Sequence, residues 1–224
     1  MIAPVNRLKK DEIVWLSNNR CIHRHTFLEH YQCYQKEWYK KERIGFIDIE
    51  TSELTADAGI LLSYCIKESG TNKILKGVID KKDLFKTSDG HEDRKLVQQC
   101  ILDMLKFDRL VGYYSSRFDI SFLRTRALTN KLDFPEFKQL KHTDVWMMAR
   151  SKLKLRRNTQ ENVCRNLFGT TEKTHVEMKY WRAALRGDKR SLNYILDHNI
   201  KDVKDLEKIY NKMVGFVNKT NTSI

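Results

Sequence analysis

The pattern of apolar and polar positions changes near residue 40. Residues 1–40 are polar, rich in Asn, His, Tyr and Cys, and show little aliphatic periodicity. We therefore predict an N-terminal extension that is partly helical. Further along the chain, short apolar runs rich in β-branched residues predict strands at 43–50, 59–67 and 73–79.

Helical periodicity dominates the second half of the chain. Apolar residues recur at helical spacing in 92–107, which predicts an amphipathic helix. Thr143-Asp144 is expected to cap another helix. The remaining predicted elements are strands at 109–114 and 139–142 and helices at 118–128, 159–168 and 191–213. This order predicts an α/β domain with a mixed sheet over residues 41–216, followed by a polar tail at 217–224.

Two acids interrupt the first predicted strand. Side chains alternate along a strand, so Asp48 and Glu50 project from the same face. Adjacent carboxylates on an otherwise apolar strand repel each other unless a cation lies between them. Such oxygens are natural ligands for a hard divalent cation. Alternatively, the strand end emerges into solvent and both acids are simply hydrated.

Two further acids have unusual positions. Asp119 is expected in the first turn of a helix that follows a sheet strand. The helix dipole alone would explain an acid there, but open α/β sheets also bind their ligands at that edge. Asp202 shares the apolar stripe of the last helix, with His198 and Tyr194 on the preceding turns, whereas Asp205 is expected on a hydrated flank. A satisfied structural network is the alternative for the Tyr194, His198 and Asp202 set.

The composition favours a polyanionic partner. Lys and Arg number 42 against 29 Asp and Glu, a formal charge of +13, which favours nucleic acid over an acidic membrane surface. Five positive charges fall within residues 150–157, and Arg156 and Arg157 are candidate phosphate contacts. Tyr114 and Phe118 are candidates for stacking on bases. No apolar run is long enough to span a bilayer, and no signal-peptide core is visible, so we expect a reducing, cytoplasmic setting without membrane partners.

A second group of chemically active residues lies in the predicted extension. Residues 21–33 contain two of the five cysteines and three of the seven histidines, namely Cys21, His23, His25, His30 and Cys33. A structural zinc site takes four such ligands, and this segment could supply them. The alternative is a polar helix whose histidines contact the α/β domain or phosphates.

Three segments of the chain carry a family resemblance. Phe-Ile-Asp-Ile-Glu-Thr at 46–51 resembles the first motif of DEDD-type 3′–5′ exonucleases. Gly-Tyr-Tyr-Ser-Ser-Arg-Phe-Asp-Ile-Ser-Phe-Leu at 112–123 resembles the second, in the version found in family B DNA polymerase proofreading domains. Ile-Leu-Asp-His-Asn-Ile-Lys-Asp-Val at 195–203 resembles the third. Over about residues 43–213, the chain is most similar to stand-alone ribonuclease H-like exonucleases related to those domains.

The resemblance implies a fold, a reaction and a set of residues. It implies a ribonuclease H-like fold and hydrolysis of single-stranded DNA or RNA from the 3′ end, releasing nucleoside 5′-monophosphates. Two Mg²⁺ or Mn²⁺ ions would be held by Asp48, Glu50, Asp119 and Asp202. A structure-selective endonuclease and an inactive nucleic-acid-binding module on the same fold are the alternatives.

The third motif departs from the family pattern in one respect. The family has Tyr four residues before the last Asp, or His five before it, whereas this chain has His198 four before Asp202. His198 is the expected water-orienting base, with Tyr194 as the alternative. The candidate substrate-binding residues are Thr51, Tyr114, Phe118, Tyr194, Arg156 and Arg157.

Overall fold

The computed structural model describes residues 10–37, 42–86, 90–172 and 175–217. The chain divides into two compact units, residues 1–42 and residues 43–224. None of the helices in these described ranges has the length and apolar character that a bilayer span requires.

The larger unit is built on one mixed sheet, as the sequence predicts. The strands are β1 (Ile44–Thr51), β2 (Leu61–Glu68), β3 (Ile74–Val78), β4 (Arg109–Gly112) and β5 (Lys141–Asp144). They lie in the order β3-β2-β1-β4-β5. Strand β2 pairs antiparallel with β1 and with β3, whereas β4 pairs parallel with β1 and with β5.

Helices cover both faces of this sheet. The helices of the larger unit are α3 (Lys81–Lys86), α4 (Arg94–Met104), α5 (Asp119–Thr129), α6 (Val145–Lys152), α7 (Gln160–Phe168), α8 (Met178–Ala184) and α9 (Lys189–Met213). Helices α3 and α8 are not predicted from the sequence, because six or seven residues are too few to display a helical period. The smaller unit, by itself, contains α1 (Lys10–Asn18) and α2 (Tyr31–Glu37).

Alternation along β1 separates the two halves of the core. Ile47 and Ile49 belong to the cluster that contains the buried faces of α4 and α5. Phe46 belongs to the cluster formed with α6, α7 and α9. Asp48 and Glu50 follow Phe46 at two-residue steps, so they project toward the α9 side of the sheet.

A buried ion pair joins α4 to α5. Arg126 Nη2 lies 2.7 Å from Asp93 Oδ1, and Arg126 Nε donates to Asp93 Oδ2 over 2.9 Å. The side chains of Asp93 and Arg126 are 0% and 3% exposed, respectively. Asp93 Oδ2 also accepts a hydrogen bond from the backbone N–H of Leu61, so the same carboxylate anchors the start of β2.

Candidate metal-binding site

Three carboxylates from distant parts of the sequence converge on one face of the sheet. One oxygen each from Asp48, Glu50 and Asp202 lies within 4.8 Å of the other two. Asp48 and Glu50 are half-buried on β1, and Asp202 is 6% exposed on α9. A donor set made only of carboxylate oxygens fits a hard divalent cation such as Mg²⁺ or Mn²⁺.

Asp119 lies beside this group without belonging to it. It is the first residue of α5 and is 4% exposed. Its Oδ1 accepts a hydrogen bond from the backbone N–H of Ile49 over 3.1 Å. Ile49 separates Asp48 from Glu50, so Asp119 is fixed at the same stretch of β1. The structure therefore gathers three of the four predicted carboxylates and places the fourth on the backbone between two of them.

Asp144 organises the turn that leads into α5. Its carboxylate accepts from the backbone N–H of Tyr114 (2.9 Å) and of Ser116 (3.1 Å), and from the Ser116 hydroxyl. It also accepts from Trp146 N–H (3.0 Å), which confirms the predicted cap of α6. Tyr114 has a φ of 59°, a left-handed conformation that non-glycine residues seldom adopt. The sequence predicts the cap but not the turn, because the turn partners lie about thirty residues earlier.

The floor of this turn is closely packed. A Cβ on Gly112 would collide with the Ser115 side chain, so only glycine fits there. The Ser115 hydroxyl is 2.9 Å from His142 Nε2, and both residues are buried. Burial lowers the pKa of His142 to about 4 despite the opposing effect of Asp144, so this imidazole is neutral at pH 7.

Helix α9 presents a second set of polar groups on the face that carries Asp202. His198 is one turn before Asp202 and is 3% exposed. Its ring lies 4.6 Å from that of Tyr194, which in turn lies 4.4 Å from that of Tyr180. Within the described ranges, neither side-chain polar atom of buried Asn199 has a hydrogen-bond partner, and the same is true of Ser63 Oγ, opposite Glu50 on β2. Sequence reasoning did not identify Asn199 or Ser63.

Comparison with known proteins places this arrangement in a family. A family model described as the RNase_H superfamily matches residues 45–214. The chain belongs to the RNase H superfamily. The family B DNA polymerase from the hyperthermophilic archaeon Pyrobaculum calidifontis is similar in structure, with a TM-score of 0.62 and 16% sequence identity. The match covers 79% of this chain and 25% of the polymerase, and at that identity it establishes the fold alone. No curated protein matches the sequence.

The RNase H-like domain exposes aromatic and basic side chains next to the Asp144 turn. The rings of Tyr114 and Trp146 are 5.0 Å apart, and the Arg150 guanidinium lies 5.1 Å from the Trp146 ring centroid. Tyr114 is 40% exposed and Arg150 is exposed. We call these three residues the aromatic ladder. Trp146 is absent from the sequence-based candidates, although its four-residue spacing from Arg150 on a helix indicates the contact.

The other residues predicted to contact the substrate differ in solvent exposure and in the contacts they already make. Arg156 and Arg157 are exposed in the segment after α6. Phe118 is partly buried against the core beside Phe122, at a ring distance of 5.9 Å, and so presents less surface than Tyr114. Thr51 donates its hydroxyl hydrogen to the carbonyl of Glu53, which shapes the turn after β1.

The predicted hydration of Asp205 is wrong. Asp205 is 0% exposed and accepts from Thr171 Oγ1 (2.7 Å), Glu172 N–H (2.8 Å) and Lys208 Nζ (3.0 Å). The segment after α7 thus covers a flank of α9 that helical periodicity assigns to solvent. Burial alone would raise the pKa of Asp205, but these hydrogen bonds outweigh it and lower the pKa below the ordinary carboxyl value.

The lowered pKa of Asp205 predicts a pH-dependent stability. Because the folded state favours the ionised form, the Asp205 contribution is present above the ordinary carboxyl pKa and is lost as the pH falls through the folded pKa. We expect Asp205→Asn to lower the free energy of unfolding by about 1–3 kcal/mol at pH 7. The deficit should shrink in acid. Urea unfolding at several pH values measures it, with the exposed Asp133→Asn as control. A deficit independent of pH would contradict the assignment.

Proposed function

We propose that this protein is a metal-dependent 3′–5′ exonuclease that acts on single-stranded 3′ ends of DNA or RNA and releases nucleoside 5′-monophosphates. The observation that carries the proposal is the convergence of Asp48, Glu50 and Asp202 within 4.8 Å on β1 and α9. Its context is a superfamily whose members are generally nucleases. The net charge of +13 supports a polyanionic substrate.

The four carboxylates are the proposed metal ligands. Asp48, Glu50 and Asp202 would hold two divalent cations, with Asp119 as the fourth ligand beside Ile49. When bound, the cations supply Lewis-acid stabilisation of phosphate charge and a lower pKa for water. The protein supplies placement, because phosphoryl transfer requires little covalent assistance from side chains. The hydrogen bond from Ile49 N–H keeps Asp119 at the strand.

His198 is the residue proposed to accept a proton from the attacking water. An imidazole in its neutral form can accept a proton, and helical spacing puts His198 on the same face as Asp202. Tyr194 is the alternative, and its ring touches that of His198.

Substitution distinguishes these two residues. We expect His198→Ala to lower kcat by roughly 10²–10⁴-fold with little change in KM, because a lost general base affects the chemical step. Tyr194→Phe keeps the ring contact and should alter kcat only a few-fold. Steady-state kinetics on a labelled oligonucleotide measures both. The reverse ranking would assign the role to Tyr194.

The aromatic ladder is the proposed platform for the terminal bases. Trp146→Ala should raise KM by up to roughly a hundredfold, since stacking on an aromatic ring contributes about 1–3 kcal/mol per base. The loss should be similar across sequences because every base has a stacking face. Phe137→Ala, which removes an exposed aromatic ring in the loop before β5, is the control. An unchanged KM in Trp146→Ala would show that the aromatic ladder does not bind the substrate.

One assay tests the function as a whole. Single-stranded DNA and RNA of one sequence, labelled at either end, are incubated with Mg²⁺, Mn²⁺ or EDTA. A metal-dependent ladder of products that shortens from the 3′ end, and stops when the 3′ end is blocked, supports the exonuclease. Cleavage of blocked strands would indicate the endonuclease. Binding without cleavage in either metal would leave an inactive binding module.

A further inference from the structure

We propose that Cys21, His23, His30 and Cys33 bind one structural zinc ion. The ligand atoms of these four side chains all lie within 4.8 Å of one another. The site belongs to the smaller unit, shares no residue with the carboxylate group, and does not depend on the proposed nuclease activity.

The distances between the ligand atoms match a tetrahedral centre. Cys33 Sγ lies 3.3 Å from His23 Nδ1 and 3.5 Å from His30 Nδ1. Cys21 Sγ lies 3.9 Å from His23 Nδ1 and 3.7 Å from His30 Nδ1. With zinc–sulfur bonds near 2.3 Å and zinc–nitrogen bonds near 2.0–2.1 Å, a tetrahedron places S and N about 3.5 Å apart. All four separations therefore scatter around the value that one zinc ion requires.

The backbone delivers the four ligands as two pairs. Arg24 N–H donates to Cys21 O, and Cys21 N–H donates to His25 O, both over 2.9 Å. The tight turn that results has Arg24 at a φ of 65° and orients Cys21 and His23 toward a common point. His30 precedes α2 and Cys33 lies in its first turn, and Cys33 N–H donates to His30 O over 2.9 Å. Two short-spaced pairs from separate segments are the usual construction of a structural zinc site.

The described residues of the smaller unit form a small core. Within residues 10–37, the buried core consists of Leu16, Cys21, Phe27 and Cys33, flanked by Tyr31 and Tyr34. Two of those four core residues are the cysteine ligands, with 5% and 7% exposure. Folded units below about 40 residues generally need a metal, a disulfide or a partner to be stable. A zinc ion would supply that stabilisation because its binding free energy is folding free energy.

Ligand chemistry separates this site from the carboxylate group. Thiolate and imidazole ligands in a tetrahedral arrangement suit Zn²⁺, whereas carboxylate oxygens suit Mg²⁺ and Mn²⁺. Four protein ligands also leave no open coordination position, which defines the zinc as structural. His25, included among the five residues expected from the sequence, is outside the tetrad, although its ring packs against His30 at 5.2 Å. It is therefore a matched control.

Metal analysis of the purified full chain tests the proposal. The wild type, His25→Asn and Asp48→Asn should each carry one zinc per chain, and Cys21→Ser/Cys33→Ser should carry none. In Co²⁺-loaded protein, a thiolate-to-metal charge-transfer band should appear in the first three and be missing from the double variant. Zinc that persists in the double variant, or is lost in Asp48→Asn, would overturn the site. So would a Cys21–Cys33 disulfide detected by mass spectrometry in metal-loaded protein.

A second measurement uses wild-type protein, so its result does not depend on whether the double variant folds. Wild-type protein stripped with a chelator should be cut by trypsin at Arg20 and Arg24 roughly tenfold or more faster than the zinc-loaded form. Adding Zn²⁺, but not Mg²⁺, should restore the slow rate. Equal rates with and without zinc would contradict a structural role. Neither measurement uses nuclease activity, so failure of the zinc site and failure of the proposed function give different results.

Discussion

Asp48→Asn and Asp202→Asn should each abolish metal-dependent hydrolysis, with a loss of roughly a thousandfold or more in the single-turnover rate. Each substitution removes one charged ligand from a group whose oxygens lie within 4.8 Å of one another. A neutral amide neither offsets the charge of a divalent cation nor provides two equivalent oxygens. The measurement is the cleavage rate of an end-labelled single strand at saturating Mn²⁺.

Stability measurements distinguish lost catalysis from misfolding. Without metal, the three carboxylates repel one another, so removing one charge should leave the thermal midpoint unchanged or raise it. Asp205→Asn is the matched control. It removes another buried carboxylate of α9, three residues after Asp202, which accepts a hydrogen bond from Thr171. That variant should be less stable yet keep its rate at temperatures where it is folded. Full activity in Asp48→Asn would show that hydrolysis does not take place at this carboxylate group.

The second large effect concerns stability. Asp93→Ala should lower the free energy of unfolding by about 3–5 kcal/mol, since it leaves the Arg126 guanidinium buried without its carboxylate. The start of β2 also loses the acceptor for Leu61 N–H. Denaturant unfolding at constant pH measures the loss. Arg165→Met removes the exposed ion pair with Glu161 and should cost less than about 1 kcal/mol.

The double replacement Asp93→Ala/Arg126→Met, measured beside the single replacement Arg126→Met, checks the reason for that loss. If the cost of Asp93→Ala comes from an unpaired buried charge, removing both charges should recover part of the stability. Additive losses would instead indicate that packing around Arg126, and not its charge, dominates.

Local patterns account for the parts of the fold and site that could be predicted. The two-residue repeat of β1 is sufficient to put Asp48 and Glu50 on one face, and the stripe of α9 is sufficient to turn Asp202 inward. Both patterns depend on backbone geometry within a single element. The mixed sheet follows from the order of strands and helices along the chain.

The features that could not be predicted depend on contacts between distant segments. Asp205 looks hydrated on a helical wheel, yet Thr171 and Glu172 cover it from another part of the chain. Asp144 looks like an ordinary helix cap until the turn at Tyr114 folds onto it. Such partners leave no periodic trace in the sequence. The position of Asp119 on Ile49 N–H is likewise a tertiary contact.

The division of the carboxylate group between β1 and α9 has a consequence for synthesis on the ribosome. A nascent chain carries Asp48 and Glu50 long before Asp202 is translated. Until α9 has been made and packed on the sheet, the growing polypeptide lacks a complete set of ligands. Under the proposed function, hydrolysis therefore has to wait until translation has passed Asp202 and α9 has folded onto the sheet.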